Sequence, residues 1–317
     1  MSDINKPRRG SLALRPRKRA DSQVPEISHW PEVKDKVVLD FPAYKAGMTT
    51  VSFVDSTKAP TAGMEITTGA TILEAPPVVI YGIRGYCEGN SYDIFTDNKE
   101  IIKNIAPKSG AAKSSFNDTL NYDDIRLLAY AQPYKTKMGK KHIERMEMGL
   151  GGTSTKEKLE FAKSVLGKEI SVADVLKSGQ YVDAIGITKG KGWQGVIKRF
   201  GASKQRMKST GKVRHTAPIG AFKPGYVMYT APRAGQMGYH RRVELSKLIV
   251  KIGKSANAAD VNPSSGFPHY GFVTTDFILV KGSIPGPAKR MVRLRYAMRK
   301  PDSIKAETSF ISREPKN

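Results

Sequence analysis

Not one aspartate or glutamate occurs between Lys189 and Arg242, a span that carries 13 lysines and arginines. Two further stretches share this property: 6–19 holds seven basic residues and 281–300 another seven, both without an acid. Together these 88 residues contain 27 of the chain's 53 Lys and Arg and none of its 29 Asp and Glu. The other 229 residues carry 26 basic against 29 acidic side chains, so the formal +24 of the 317-residue chain resides in three segments. A soluble surface normally interleaves both signs. A long acid-free stretch repels itself and becomes compact only beside a polyanion, and neutralising phosphates releases counterions that drive association. The expected partner is a nucleic acid. For any one segment alone, a disordered tail or a solvated face is the alternative.

Composition and motifs exclude several other classes. With 39% hydrophobic and 8% aromatic residues the chain can bury the core of one large domain or two ordinary ones. No apolar run reaches the ~18 residues of a membrane span. The charge from Lys6 to Arg19 has no apolar run behind it, unlike a secretory signal. The single cysteine, Cys87, allows neither an internal disulfide nor a CxxC metal site, and it is expected as a small buried hydrophobe in a protein of a reducing compartment. His29, His142, His215, His240 and His269 are scattered without metal-ligand spacing. Gly253-Lys254-Ser255 resembles the end of a P-loop, but Leu248 stands where that pattern needs glycine. Gly149-Leu150-Gly151-Gly152 follows Met148 and charged residues with no obvious strand, which speaks against a phosphate cradle. Neither a catalytic residue nor a cofactor is expected.

The fold class expected is mainly β with an α/β insertion. Residues 1–35 read as a basic N-terminal arm broken by Pro7, Pro16, Pro25 and Pro31. Short β-type runs follow at Lys36–Phe41, Thr50–Val54, Gly63–Ile66, Thr71–Leu73 and Val78–Gly82, making 36–91 the first part of a barrel or sandwich. In 92–178, Ile94–Ile105 and Lys156–Leu166 read as amphipathic helices, Ile125–Ala131 as a strand, and Ser171 as the cap of a helical turn over Ala173–Leu176. Strand texture returns at Tyr181–Thr188, Tyr226–Thr230, Leu248–Ile252, Gly271–Val280 and Arg290–Tyr296. The β domain is then discontinuous, with further parts at 179–197 and 243–300 and a tail at 301–317. Residues 198–242 show little apolar periodicity and read as a finger that leaves the body and returns. Each arm of such a hairpin has about 22 residues and, at roughly 3.3 Å per residue, reaches at most about 70 Å.

The basic segments combine cations with glycines and planar rings. In Lys189-Gly190-Lys191-Gly192-Trp193 the glycines permit close approach to a phosphate, the lysines neutralise it, and Trp193 either stacks on a base or packs at a strand end. Lys198, Arg199 and Lys204 follow as candidates, then Arg206, Lys208, Lys212, Arg214 and His215, which have no competing core role, and Arg233 lies on the return arm. Phe222 beside Lys223-Pro224 either stacks on RNA or staples its own turn. Tyr239, His240, Arg241 and Arg242 again set planar and cationic groups behind glycines. Lys281, Lys289 and Arg290 flank a rigid Gly-Pro turn. Arg293 and Arg295, alternating with Val292 and Leu294, predict a strand with an apolar face inward and a cationic face outward, suited to an RNA backbone or to a solvated edge. In the arm the candidates are Arg8, Arg9, Arg15, Arg17, Lys18 and Arg19.

Several of these pieces resemble the large-subunit ribosomal protein L-three family in its archaeal and eukaryotic form. They are Arg8–Leu12 with Pro16–Ala20, Tyr44–Thr49, Thr188–Gly192, Ile219–Ala221, Ala234–Gln236 with Gly238–His240, and Lys281–Pro287, in the family's order. The resemblance implies a six-stranded β-barrel of the translation-protein type with long basic non-globular extensions. It also implies binding to large-subunit rRNA near its 3′ end, a role early in subunit assembly, and a finger running towards the peptidyl transferase centre and the region where aminoacyl-tRNA enters. The partners implied are rRNA and neighbouring ribosomal proteins in the cytoplasmic ribosome, with no membrane, no obligate homo-oligomer and no ion beyond rRNA-associated Mg2+. Phe222 occupies the tip position where relatives carry tryptophan, which keeps a ring but loses the indole N–H. The finger histidine methylated in some eukaryotic members aligns with Thr210, and the glycine-asparagine-glutamine context modified in bacterial members is replaced by Gly238-Tyr239-His240, so neither modification carries over. Two rival readings make different demands. A DNA- or chromatin-binding architectural protein needs a regular helix or ribbon for a groove, and an RNA-modifying enzyme needs a cofactor or metal motif.

Overall fold

Runs rich in Val, Ile, Thr and Tyr fit a pleated half-buried surface, and they set the frame here. The computed structural model describes residues 8–105, 121–208, 213–215, 219–299 and 303–314. Among these the strands are β1 (Asp40–Val54), β2 (Glu65–Glu74), β3 (Val78–Cys87), β4 (Asn90–Phe95), β5 (Asp124–Ala131), β6 (Glu144–Gly149), β7 (Glu169–Ile170), β8 (Tyr181–Ile187), β9 (Trp193–Gln194), β10 (Gly235–Gln236), β11 (Arg241–Gly253), β12 (Phe277–Lys281), β13 (Met291–Tyr296) and β14 (Glu307–Ile311). The α-helices are α1 (Lys99–Ile105), α2 (Thr155–Val165), α3 (Val172–Val175) and α4 (Val196–Phe200). The protein is mainly β. It divides into two units, Met1–Asp21 with Ile187–Arg241 and Ser22–Gly186 with Arg242–Asn317.

The larger unit holds two sheets. One runs β13-β8-β11-β12-β2-β1-β14, and β13 also pairs with β1. The pairings of β1 with β2, β13 and β14, and of β12 with β2 and β11, are antiparallel. β1 replaces the two short strands expected at 36–41 and 50–54. Its 15 residues change partner along their length, Asp40–Tyr44 facing β13 and Tyr44–Val54 facing β2, with a register shift between Lys45 and Gly47. The extra residue of that shift is Ala46, and at Gly47, which stays paired with Ile72, an added Cβ would stand 2.5 Å from the Phe267 ring. β2 likewise joins two expected fragments. Phe41, Tyr44, Phe53, Ile72 and Phe277 are fully buried, and each such side chain contributes about 1.5–3 kcal/mol by leaving water.

The second sheet runs β4-β3-β5-β6, with β7 on β3. Side chains of β3 alternate between two cores: Val78, Ile80 and Ile83 join the main core, while Val79 and Tyr81 meet Leu128, Tyr130 and Ile101 of α1. Ala162 of α2 lies in the main core, so both faces of this sheet are covered. β3 therefore pairs within the second sheet while one of its faces joins the main core.

Other expectations are corrected. The helix predicted over Ile94–Ile105 begins only at Lys99, because Asn98 Oδ1 accepts from the Glu100 amide (3.0 Å) and 90–95 pairs with β3 as β4. Of Gly271–Val280 only Phe277–Lys281 is strand. The preceding loop wraps the buried Glu74 carboxylate, which accepts from the amides of Thr274 (2.8 Å) and Thr275 (3.0 Å) and from the Tyr270 hydroxyl. No strand forms at Tyr226–Thr230, whose side chains are almost all exposed. β6 and β14 were not foreseen, and β14 lies in the stretch expected to be a tail. Gly149–Gly152 does follow a strand and precede a helix, yet it cradles nothing: the Gly151 and Gly152 amides donate to Val37 and Val33 carbonyls, and the Trp30 ring covers Gly149. The arm divides between the units at Asp21, and Pro25, Ile27 and Pro31 beyond it are buried.

Candidate nucleic-acid interface

The smaller unit contains 19 Lys and Arg and two Asp, none of them between Ile187 and Arg241. With few carboxylates at hand, Arg8, Arg9, Arg17 and Arg199 use backbone carbonyls and rings. Arg8 Nη2 donates to Thr230 O (2.7 Å) and Arg9 Nη1 to Gly201 O (2.8 Å). Arg199 Nη1 donates to Arg233 O (2.9 Å) and its Nε to Gln236 O (3.1 Å), and Arg17 donates to Ser11 O. The Phe200 ring is the apolar centre: Arg17 and Arg199 lie over it at 4.8 and 5.2 Å, and Gly10 is so close that an added Cβ would stand 2.4 Å from the ring. A carbonyl or a ring fixes a guanidinium without neutralising it. These four guanidiniums are therefore held in place without being neutralised by their carbonyls and rings. Partial burial, and then repulsion from Arg15, Arg199 and Arg8, lowers Arg17 from the ordinary arginine value.

A short antiparallel ladder supports the glycine-rich motifs. Gln194 and Trp193 pair with Gly235 and Gln236, the Lys191 amide donates to Met237 O (2.9 Å), and Thr188 N to His240 O (3.0 Å). Gly238 sits at φ +72°, and a Cβ there would lie 2.0 Å from Lys189 O, so only glycine closes this turn. His240 is a correction. Its Nε2 accepts from the Gly238 amide (3.0 Å), which leaves the proton on Nδ1 for Lys18 O (2.8 Å). The ring is a buried internal pin rather than an RNA-facing group. Tyr239 and Arg241 are half-buried.

What remains outward is cationic and aromatic. Arg8, Arg15, Lys18, Arg19, Lys189, Lys191, Lys198, Lys204, Arg206, Lys208, Arg214, His215, Lys223 and Arg233 are exposed, whereas Arg9, Arg17 and Arg199 are half-buried; Lys212 and Thr210 lie outside the described residues. Trp193 is 76% exposed, which removes core packing as its role, and Phe222 at 93% staples nothing. Tyr226 and Tyr229 are also exposed. Sequence reasoning assigned them to a strand; four aromatics without a partner strand in an acid-free segment was the signal available.

The candidates on the larger unit fare differently. Lys289 is exposed, Lys281 lies 5.2 Å from the Phe53 ring, and Arg242 and Arg290 are half-buried. Arg293 and Arg295 are 2% and 6% exposed, so the cationic face does not point outward. Arg293 Nε donates to Asp40 Oδ2 (2.8 Å), its Nη1 to Pro25 O (3.2 Å) and its Nη2 to Glu147 O. Arg295 Nη2 donates to Asp183 Oδ2 (2.7 Å), whose carboxylate also accepts from the Ser246 and Met298 amides (2.9 and 3.1 Å). The second face of this strand is covered as well as the first. Burial pushes the Asp40 carboxyl up to about 6, against the pull of Arg293.

Chemically the smaller unit can hold a polyanion and offer flat rings beside it. Among the described residues no cluster of three or more His, Cys, Asp or Glu could hold a metal, and no helix is long and apolar enough to cross a membrane.

The family described as Ribosomal protein L3 matches residues 1–92 and 106–313. The chain is 43% identical to the large ribosomal subunit protein uL3 of Methanosphaera stadtmanae, covering 98% of each chain. It is 40% identical to that of Methanothermobacter thermautotrophicus over 94% of each, and 42% identical to that of Methanocaldococcus jannaschii over 94% of this chain and 92% of the relative. The chain belongs to the ribosomal protein L3 family.

Proposed function

We propose that this protein is a non-catalytic structural constituent of the large ribosomal subunit that binds large-subunit rRNA near its 3′ end. On this reading it acts early in subunit assembly, in the cytoplasmic ribosome, with rRNA and neighbouring ribosomal proteins as partners. The smaller unit reaches towards the peptidyl transferase centre, and the larger unit is a six-stranded barrel of the translation-protein type. The return pairing of β13 with β1 supports the barrel, and the names of the archaeal relatives support the ribosomal role. The observation that carries the RNA reading is the acid-poor unit in which Arg8, Arg9, Arg17 and Arg199 are braced on carbonyls and rings, leaving their charge for an outside partner. No cofactor of its own enters this proposal; Mg2+ would arrive with the rRNA.

A DNA-architectural role fits less well. Among the described residues the longest helix of the smaller unit has five residues and its ladder two per strand, too little for a groove. Filter binding decides between them. A fragment from the 3′ part of large-subunit rRNA is expected to bind tightly and to outcompete duplex DNA at equal salt. Equal affinity for the two would overturn the ribosomal reading.

A further inference from the structure

Two rings in the smaller unit carry arginines, and they differ in what is left uncovered. Phe200 is buried, with Arg17 and Arg199 over it and Gly10 against its edge, so nothing further can stack there. Tyr229 has one guanidinium over it, that of Arg15 at 4.8 Å, and is still 75% exposed. One ring face is therefore occupied and the other is open.

The platform is also held in place. Arg8 Nη2 donates to the carbonyl of the adjacent Thr230, so the arm grips the chain at residues 229 and 230 together. Among the described residues the Arg15 guanidinium donates to no acceptor, which leaves its N–H edge available for an anion. A flat ring with a fixed cation behind it and no carboxylate in the neighbouring sequence suits one ligand class. A nucleobase stacks on the ring while the phosphate of the same or the next nucleotide reaches the guanidinium. Within a duplex both faces of a base are already stacked. The occupant is thus an unpaired nucleotide.

We propose that Arg15 and Tyr229 form a stacking site for a single unpaired RNA base, additional to Trp193 and Phe222. The proposal rests on the RNA-binding reading above and adds a residue-level ligand to it. The arm then has a second task besides neutralising phosphates: it builds half of a base-binding site whose other half lies more than 200 residues away in sequence.

The test uses the full chain with a single-stranded oligouridylate and an RNA duplex of equal length, followed by fluorescence anisotropy over a salt series. Tyr229→Leu should weaken single-strand binding about tenfold while leaving the slope of log K against log salt unchanged, because stacking releases no counterions. Tyr229→Phe should restore wild-type affinity. Arg15→Gln should weaken binding and also reduce the slope by about 0.7, the share of one phosphate on a single strand. The ring is exposed, so the melting curve of Tyr229→Leu should overlay that of the wild type. Unchanged single-strand affinity in Tyr229→Leu, or an equal loss on duplex and single strand, would overturn the site. If the wild-type chain bound neither RNA, the functional reading would fall, and this site with it.

Discussion

The segments from Lys189 to Arg242 and from Lys281 to Lys300 share one sequence property, cations without acids, and they use those cations in different ways. In the first, Arg199 is fastened to carbonyls and a ring, which fix its geometry without neutralising its charge. In the second, Arg293 and Arg295 are buried against Asp40 and Asp183, which come from strands distant in sequence. An acid-free stretch therefore shows only that charge is not balanced locally. Whether it is balanced at all depends on what the fold places opposite. The smaller unit has 19 basic residues against two acids; the larger unit has 34 against 27.

Removing charge from the first region breaks this contrast most directly. Changing Lys189, Lys191, Lys198, Lys204 and Lys208 together to Gln should lower rRNA affinity by about three orders of magnitude near 0.1 M salt and reduce the salt slope by about 4. All five are exposed, so the melting temperature should hardly move, and a large drop would show that they brace the fold. In the second region the effects reverse. Arg293→Ala leaves Asp40 buried without its partner and should cost about 3–5 kcal/mol of stability, read as a lower denaturant midpoint. The double change Arg293→Met with Asp40→Leu removes both charges and should recover most of that loss. Neither variant should alter the salt slope of RNA binding by the folded protein. A reduced slope would mean that Arg293 faces RNA after all.

Much of the larger unit was legible because its strands are written in Val, Ile and Thr: β3, β5, β8 and β13 lie close to where the hydrophobic runs put them. The errors have physical causes. Pro42 and Gly47 look like breaks within β1, but both are paired, with Arg293 and Ile72, and the strand continues through one register shift at Ala46. β6 alternates Glu144, Met146 and Met148 with Arg145 and Glu147, a period of two hidden by residues that seldom form strands. β14 has no clean pattern and exists by pairing with β1. In the candidate site, the exposed lysines were readable because exposure in a core-poor segment is local information, whereas Trp193 and Phe222 stood between two roles and Tyr226 and Tyr229 carried strand texture. The roles of Arg293, Arg295 and His240 were not. Asp40 is 253 residues from Arg293 and Asp183 is 112 from Arg295, and Lys18 is 222 from His240; only the folded chain brings these together.

A finer test of the buried region follows from its pH response. Burial raises the Asp40 carboxyl from 3.8 to about 6 in the folded chain. Between those values the folded state holds a proton that the unfolded chain has released, so stability from this group falls as pH rises through the window. The contribution is fully present below about 4 and lost above about 6, and it amounts to about 3 kcal/mol at most. Asp40→Asn removes the titration. The unfolding free energy of the wild type minus that of Asp40→Asn should therefore decline from pH 4 to pH 6 and then level off. A difference that stays flat over this range would mean that Arg293 outweighs burial and holds Asp40 ionised. The lysine-rich unit offers no counterpart, having no buried carboxylate among its described residues, so the same scan should leave the stability of the five-lysine variant parallel to that of the wild type.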